Sequence, residues 1–199
     1  MINLRMRPDI AIAVLAGVDG SRIGGGKPLI RLGDTTLVEQ AVIRAGSWSN
    51  LVVVSIRSID QLGALQLPWI IDAPSIGGPL AGLAAALVWA RDEGSSRVMT
   101  LPCDMPFLPD DLPERLLVAI GDLGAAVASS GGNLHPVCGL WRVEAADQIA
   151  AYCSSGRRSL KGFAAQLGFA EVEWPTVPRD PFFNVNSPAD LVIAEAMLA

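Results

Sequence analysis

An apolar run leads directly into a glycine-rich loop in the stretch IAIAVLAGVDGSRIGGGK, residues 10–27. Residues 10–15 have the length and composition of a buried β-strand, and the glycines that follow end it. A loop with many glycines lets backbone N–H groups approach phosphate oxygens, and Arg22 and Lys27 add positive charge to the same loop. The stretch therefore predicts a strand followed by a loop that holds a triphosphate. A flexible surface loop remains the alternative on spacing alone.

This loop matches neither of two standard phosphate-binding patterns. The Walker A pattern would need a glycine at Ser21 and a hydroxyl residue at Pro28. The dinucleotide pattern would need its third glycine at Leu29 and an acidic residue about 20 positions later, which the sequence lacks. The loop is thus expected to bind a nucleotide in another manner.

Strand-like and helix-like segments alternate after the loop. Strands are expected at 51–56, 69–71 and 98–101, and helices after a cap at Thr35 or Thr36, at 79–90, and from Asp110 or Asp111 to Ile120. This alternation predicts an α/β protein of Rossmann-like, three-layer α/β/α architecture with a mostly parallel sheet. In such sheets ligands bind at the carboxyl ends of the strands.

The pattern becomes mixed beyond residue 125. We expect strands at 125–129 and 137–141, helices near 144–152 and 158–167, and a last helix that Ser187 caps, running to about residue 198. A single domain spanning 1–199 is expected, with residues up to about 124 binding the nucleotide and the remainder binding the acceptor.

The composition excludes several classes of partner. The chain has 199 residues, 51% hydrophobic and 18% charged, with a net charge of −5, so no global positive field attracts nucleic acid. Residues 73–90 lack charge, but proline and glycine break the first half, so a buried helix is expected rather than a membrane span. Three cysteines without a pairing pattern favour a reducing compartment, and we expect a cytoplasmic protein.

Two aspartates follow predicted strands and are the acidic candidates for the site. Asp104 comes after the strand at 98–101, between prolines, and is the candidate ligand for Mg²⁺, which needs only one or two carboxylates beside phosphate oxygens. Asp72 could accept hydrogen bonds from a base or ribose. Either carboxylate could instead cap a turn. Glycines 77, 78 and 82 begin a helix whose free N–H groups could face an anion or whose backbone could pack closely on the sheet.

Three polar features lie in the second half of the chain. His135 is the only histidine, and a zinc site is not expected because the cysteines lie at no familiar spacing from it. Arg157 and Arg158 precede a helix and could bind phosphate or lie on a solvated face. Asn184 and Asn186 alternate on one side of an extended segment, where amides bind a ligand or stabilise a turn.

The motifs LAG (15–17), GPLAG (78–82), PCDMP (102–106) and FNVNSP (183–188) occur in this order along the chain. With them the sequence resembles the bacterial molybdenum cofactor guanylyltransferases, which are MobA-like nucleotidyltransferases of Rossmann-like fold. The resemblance spans almost the whole chain. It implies transfer of GMP from Mg-GTP to the terminal phosphate of molybdopterin, with release of pyrophosphate. It also implies contact with a molybdenum-insertion protein and with acceptor apoenzymes.

The resemblance also implies roles for individual residues. It implies that backbone groups of Leu15, Ala16 and Gly17 contact the guanine nucleotide, that Arg22 and Lys27 lie at its phosphates, and that Asp72 binds the nucleotide. Asp104 corresponds to the magnesium ligand, and Ser55 stands where relatives often have asparagine. The regions of Arg158, Asn184 and Asn186 are expected to meet the pterin phosphate or complete the metal site.

The loop departs from the family pattern at two positions. Val18 stands where the family usually has a second glycine after Leu-Ala-Gly, and Gly26 stands where it has an aspartate before the lysine. These departures keep two alternatives open. The first is a related nucleotidyltransferase that uses CTP, another nucleotide or another phosphorylated acceptor, and the second is a homologue that binds nucleotide or pterin without turnover.

Overall fold

The computed structural model describes residues 10–17 and 26–198. The strands in this part of the chain are β1 (Ile10–Leu15), β2 (Arg31–Leu32), β3 (Thr35–Thr36), β4 (Val52–Ile56), β5 (Trp69–Ile71), β6 (Arg97–Pro102), β7 (Ala125–Ser130), β8 (Asn133–Arg142) and β9 (Phe169–Trp174). The α-helices are α1 (Leu37–Gly46), α2 (Pro79–Asp92), α3 (Leu112–Ile120), α4 (Ala146–Ser154), α5 (Leu160–Leu167) and α6 (Pro188–Leu198). Short 3₁₀ turns span Lys27–Leu29, Ile59–Leu62 and Val143–Ala145.

The central sheet has seven strands in the order β5-β4-β1-β6-β8-β7-β9, and β2 and β3 form a separate small ribbon. Strands β5, β4, β1 and β6 are parallel neighbours, whereas β8 runs antiparallel to both β6 and β7. Strand β9 pairs in parallel with β7. The carboxyl ends of β1, β4, β5 and β6 therefore meet at one edge of the sheet, which is the edge predicted to bind a ligand.

Helices cover both faces of the sheet. Alternate side chains of β1 point to opposite faces: Ile12 and Val14 pack with residues of α1 and α3, while Ala13 and Leu15 pack with residues of α2, α4 and α5. A third cluster joins α6 to the β2–β3 ribbon. The mostly parallel, three-layer α/β/α prediction is confirmed. Within the described residues, no helix combines the length and hydropathy needed to cross a membrane.

Two of the predicted helix caps form, and a third does not. Thr36 caps α1 in a capping box with Glu39, and Ser187 Oγ accepts from Asp190 N at 3.2 Å. Asp111 occupies the N-cap position of α3, but its side chain makes no capping bond. Its Oδ1 accepts instead from Trp174 Nε1 at 2.8 Å. Asp111 therefore stands at the predicted cap position, but its φ of −87° and ψ of 4° are not the extended values of a side-chain cap and its carboxylate bonds to Trp174 instead.

The second half of the chain differs from expectation in two respects. Helices α4 and α5 each begin about two residues later than predicted, because a 3₁₀ turn precedes α4 and Ser159 caps α5. Strand β9 was not expected at all. It lies at the edge of the sheet, where it extends the sheet beyond β7.

Candidate active site

A buried lysine–aspartate ion pair lies at the carboxyl edge of the sheet. Asp104 follows the end of β6, and Lys27 begins the 3₁₀ turn after the glycine loop. Lys27 Nζ donates to Asp104 Oδ2, and both residues are less than 10% exposed. Burying two charges is costly unless they are paired and hydrogen-bonded, and here each charge has the other as its partner.

The segment containing Asn184 and Asn186 completes this cluster. Lys27 Nζ donates to Asn186 Oδ1 at 2.6 Å, and Val185 N donates to the Asp104 carbonyl at 2.9 Å. With its amide nitrogen turned to the carboxylate, Asn184 donates to Asp104 Oδ2 at 2.8 Å and to Oδ1 at 3.1 Å. Val185, between the two asparagines, is fully buried. Both amides therefore lie on the same side of the segment, as their alternation predicted, and both meet the ion pair.

A second polar pair lies beside the end of β1. Ser55, in β4, donates its hydroxyl to Asp72 Oδ1 at 2.5 Å, and Asp72 follows β5. Burial raises the pKa of Asp72 above its ordinary value, while the Ser55 hydrogen bond and the positive charge of Arg57 oppose this rise. The pair is thus a preformed hydrogen-bonding group at the edge where a nucleoside is expected.

Close packing around Asp72 requires a glycine at position 17. Leu15 and Ala16 are buried at the end of β1, and Ala16 N donates to the Ser55 carbonyl at 2.9 Å. A Cβ added at Gly17 would overlap Asp72 Oδ2. The absence of a side chain at Gly17 therefore lets the backbone approach Asp72, which is a physical reason for the glycine in the LAG motif.

A cavity of about 300 Å³ adjoins Asp72. Its lining includes Arg57, Ile71 and residues of the loop that leads to α2. Gly78 caps α2 with φ 67°, a left-handed conformation that favours glycine, and Pro79 follows at the first turn. The free N–H groups at this helix start lie on the same edge of the sheet as Asp72.

One predicted site residue lies outside the described residues, and another lies apart from this arrangement. Arg22 lies outside the described residues, as do the neighbouring positions 18–25. Arg158 is exposed and donates to the carbonyls of Cys153 at 2.6 Å and Arg157 at 2.7 Å. It lines a separate cavity of about 880 Å³ between α2 and α4. Its hydrogen bonds within the described residues do not reach the Lys27–Asp104 cluster.

The sequence analysis missed a polar network on the far side of Asp104. Ser130 Oγ lies 2.8 Å from His135 Nε2 and 3.1 Å from Asp180 Oδ2. The His135 ring stacks on Phe182, with centroids 4.6 Å apart. The signal available in the sequence was that His135 is the only histidine, but nothing local links it to Asp180.

Comparison with known proteins identifies the family. The model of the MobA-like NTP transferase domain matches residues 12–171. The chain belongs to this family. Molybdenum cofactor guanylyltransferase from Cereibacter sphaeroides is 38% identical over 93% of this chain and 95% of its own length. A Bradyrhizobium protein of the same name is 37% identical, over 94% and 92%. The resemblance stated from the motifs is confirmed.

Solved structures agree with membership of the MobA-like family. Molybdopterin-guanine dinucleotide biosynthesis protein A from Archaeoglobus fulgidus superposes with a TM-score of 0.74 at 25% identity, covering 94% of this chain and 98% of that one. A CMP:2-keto-3-deoxy-manno-octonic acid synthetase complexed with CTP also reaches 0.74, at 15% identity and with 96% and 98% coverage. This second likeness shows the fold alone.

Proposed function

We propose that this protein is a molybdenum cofactor guanylyltransferase, which transfers GMP from GTP to molybdenum-molybdopterin and releases pyrophosphate. Two curated relatives that bear this name match the chain over more than nine-tenths of its length. The observation that carries the mechanism is the cluster of Lys27, Asp104, Asn184 and Asn186 at the carboxyl edge of the sheet. This cluster combines a cation, a carboxylate and two amides beside the proposed nucleotide pocket.

The nucleoside is proposed to bind over β1, β4 and β5. Backbone groups of Leu15, Ala16 and Gly17 would meet the nucleotide, and the paired Ser55 and Asp72 would accept or donate hydrogen bonds to the base or ribose. The cavity beside Asp72 supplies the space, at about 300 Å³. The phosphates would then extend towards Lys27, whose charge stabilises the negative charge that develops on transfer. Arg22 is proposed to assist Lys27 there.

The donor set around Asp104 fits a magnesium ion. One carboxylate together with amide and phosphate oxygens is a normal set of ligands for Mg²⁺. Asp104 would hold the ion, with the side-chain oxygens of Asn184 and Asn186 as further candidate ligands. When bound, the ion supplies positive charge that polarises the α-phosphoryl group of the nucleotide. The buried Cys103 thiol has a pKa raised to about 12, mainly by burial, and a thiol is in any case a poor ligand for Mg²⁺, which prefers oxygen.

The reaction requires positioning more than proton transfer. The terminal phosphate of the acceptor is already ionised at neutral pH, so no general base is needed to activate it. Lys27 and Asp104 are held by buried hydrogen bonds before the substrates arrive, which avoids reorganisation during the reaction. The residues beyond about 124 are proposed to bind the acceptor.

Asp104→Ala is the direct test of this proposal. We expect magnesium-dependent release of pyrophosphate from GTP and molybdopterin to fall by about 100-fold or more, since a charge-positioning group is lost. The control is Asp110→Ala, because Asp110 is exposed and pairs with Arg44 at the surface. Full activity of the Asp104 variant would contradict the assignment of this residue. Absence of turnover in the unaltered protein would contradict the proposed function.

A further inference from the structure

The network of Ser130, His135 and Asp180 has a defined direction of hydrogen bonding. A carboxylate only accepts, so the Ser130 hydroxyl, 3.1 Å from Asp180 Oδ2, donates its single hydrogen there. Ser130 Oγ must then accept from His135 Nε2, 2.8 Å away. The proton of the neutral ring is therefore on Nε2, and Nδ1 presents a lone pair.

The His135 ring is neutral at neutral pH and fixed in orientation. Burial lowers its pKa below the ordinary value, and the negative charge of Asp180 opposes this only in part. One face of the ring stacks on Phe182, with an interplanar angle of 13°. Phe182 is itself buried and packs edge-on against Trp174 at 5.5 Å. A lone pair on a fixed, neutral ring is a specific hydrogen-bond acceptor.

Nδ1 of His135 has no hydrogen-bonding partner among the described residues. Nδ1 is not among the unpartnered side-chain atoms that are buried, and His135 as a whole is partly exposed. The described residues therefore do not enclose this nitrogen. A nitrogen that is held by its neighbours but left open to solvent is suited to meet a ligand.

The order of the strands places His135 on the opposite side of Asp104 from the nucleotide pocket. Ser55 lies in β4 and Asp72 follows β5 on one side of β6, whereas His135 lies on β8 on the other side. His135 is linked to the cluster around Asp104 by one side-chain contact and by the chain itself. Cys138 Sγ, on the same strand, lies 3.6 Å from Met105 Sδ, and Phe182 lies two residues before Asn184. A second substrate that met the nucleotide at Asp104 and extended over β8 would reach His135.

We propose that His135 binds the acceptor, with Nδ1 accepting a hydrogen bond from a ring N–H or amino group of its pterin. This inference rests on the proposed function. The phosphate of the acceptor is a poor partner here, because it offers no hydrogen at neutral pH and the Asp180 carboxylate lies nearby. Ser130 and Asp180 are positioning residues, since they act on the acceptor only through the tautomer of His135.

Two substitutions separate the two ring nitrogens. His135→Gln can place a polar atom near the position of Nε2 and keep the contact with Ser130, but it leaves nothing at Nδ1. His135→Asn can place its amide oxygen near the position of Nδ1 and gives up the contact with Ser130. We expect the KM for molybdopterin to rise about tenfold in His135→Gln and less than threefold in His135→Asn. In both variants kcat and the KM for GTP should stay within about twofold of the original.

A purely structural role for His135 predicts a different result. It would act through the segment that holds Asn184, so both variants would lower kcat and the melting temperature together. A joint loss of kcat and melting temperature in both variants overturns the inference. So does an unchanged KM for molybdopterin in His135→Gln. A larger rise in this KM in His135→Asn than in His135→Gln overturns it as well.

A binding measurement separates this inference from the proposed function. Fluorescence titration of the unaltered protein with molybdopterin tests the function first, and absence of both binding and turnover overturns both proposals. If the unaltered protein binds and turns over molybdopterin while His135→Gln binds it equally well, the inference alone is overturned. Weaker binding by His135→Gln, with His135→Asn close to the original, supports it.

Discussion

Gly17 shows how one missing side chain shapes the proposed nucleotide pocket. A methyl group there would overlap Asp72 Oδ2, so Gly17→Ala must displace either Asp72 or the end of β1. We expect a loss of about 1–3 kcal/mol in the free energy of unfolding, together with weaker GTP binding. Urea unfolding and nucleotide titration measure the two effects. Gly46→Ala is the control, since nothing lies within 4 Å of the added Cβ and the residue ends α1. Equal stability of the two variants would contradict this account.

Burial raises the pKa of Asp72, and the hydrogen bond from Ser55 opposes this rise. The folded-state pKa of Asp72 is raised by burial, so the carboxyl stabilises the fold at low pH, and this contribution disappears as pH rises through the folded-state pKa. The hydrogen bond from Ser55 limits that rise. Ser55→Ala should therefore raise the pKa of Asp72 further. As the pH rises from about 4 to about 7, the free energy of unfolding of this variant should fall by more than that of the unaltered protein.

Unfolding of Ser55→Ala at the two ends of this pH range measures the effect of the hydroxyl. The matched control is the same substitution in an Asp72→Asn background, where no carboxyl titrates and the difference should not vary with pH. A pH-independent cost of Ser55→Ala with Asp72 present would show that the hydrogen bond does not act through the carboxyl.

At the scale of single elements, α1 depends on a capping box that follows the Lys27 segment. Thr36 Oγ1 accepts from Glu39 N at 3.3 Å, and Glu39 Oε2 accepts from Thr36 N at 2.8 Å. Thr36→Ala should cost about 1 kcal/mol of unfolding free energy, because an N–H group at the helix start loses its partner. Thr36→Ser, which retains the hydroxyl, is the control and should lose much less. Thermal or urea unfolding of both variants decides the point.

The strands on either side of residue 124 differ in how well the sequence predicts them. Strands β1 and β5 occur at the predicted residues because each is a short apolar run with clear ends. Strand β9 has an alternating pattern, with Val172 and Trp174 buried and Glu171 and Glu173 exposed, but its two glutamates make it resemble a polar connection. The reversal of β8 could not be predicted, because direction depends on pairing with distant strands.

In the site too, local patterns predict some positions and not others. Asp72 and Asp104 were predicted at one edge of the sheet because each follows a strand, and parallel strands end at the same edge. The bond between Lys27 and Asn186, which joins residues 159 positions apart, and the approach of Asp180 to Ser130 depend on tertiary folding. Local patterns carry no signal for either contact.

At the scale of the whole molecule, nucleotide binding should appear as a change in stability. A ligand that binds only the folded state at 100 times its dissociation constant adds about 2.7 kcal/mol, which corresponds to roughly 5–10 °C for a chain of this size. We expect this shift for GTP with magnesium and one of no more than about 2 °C for CTP. Differential scanning fluorimetry with both nucleotides makes the comparison. An equal shift with CTP would favour the alternative nucleotide.

The bond between Lys27 and Asn186 has a consequence for biosynthesis and turnover of the protein. The last strand of the described sheet ends at Trp174, whereas both asparagines of the central cluster, Asn184 and Asn186, lie after it in the chain. A polypeptide cut after residue 180, by early termination or by a protease, would keep Ser55 and Asp72 but lose part of the charged centre. A protein shortened in this way would therefore retain the residues of the proposed nucleotide pocket and lose both amides that contact Lys27 and Asp104.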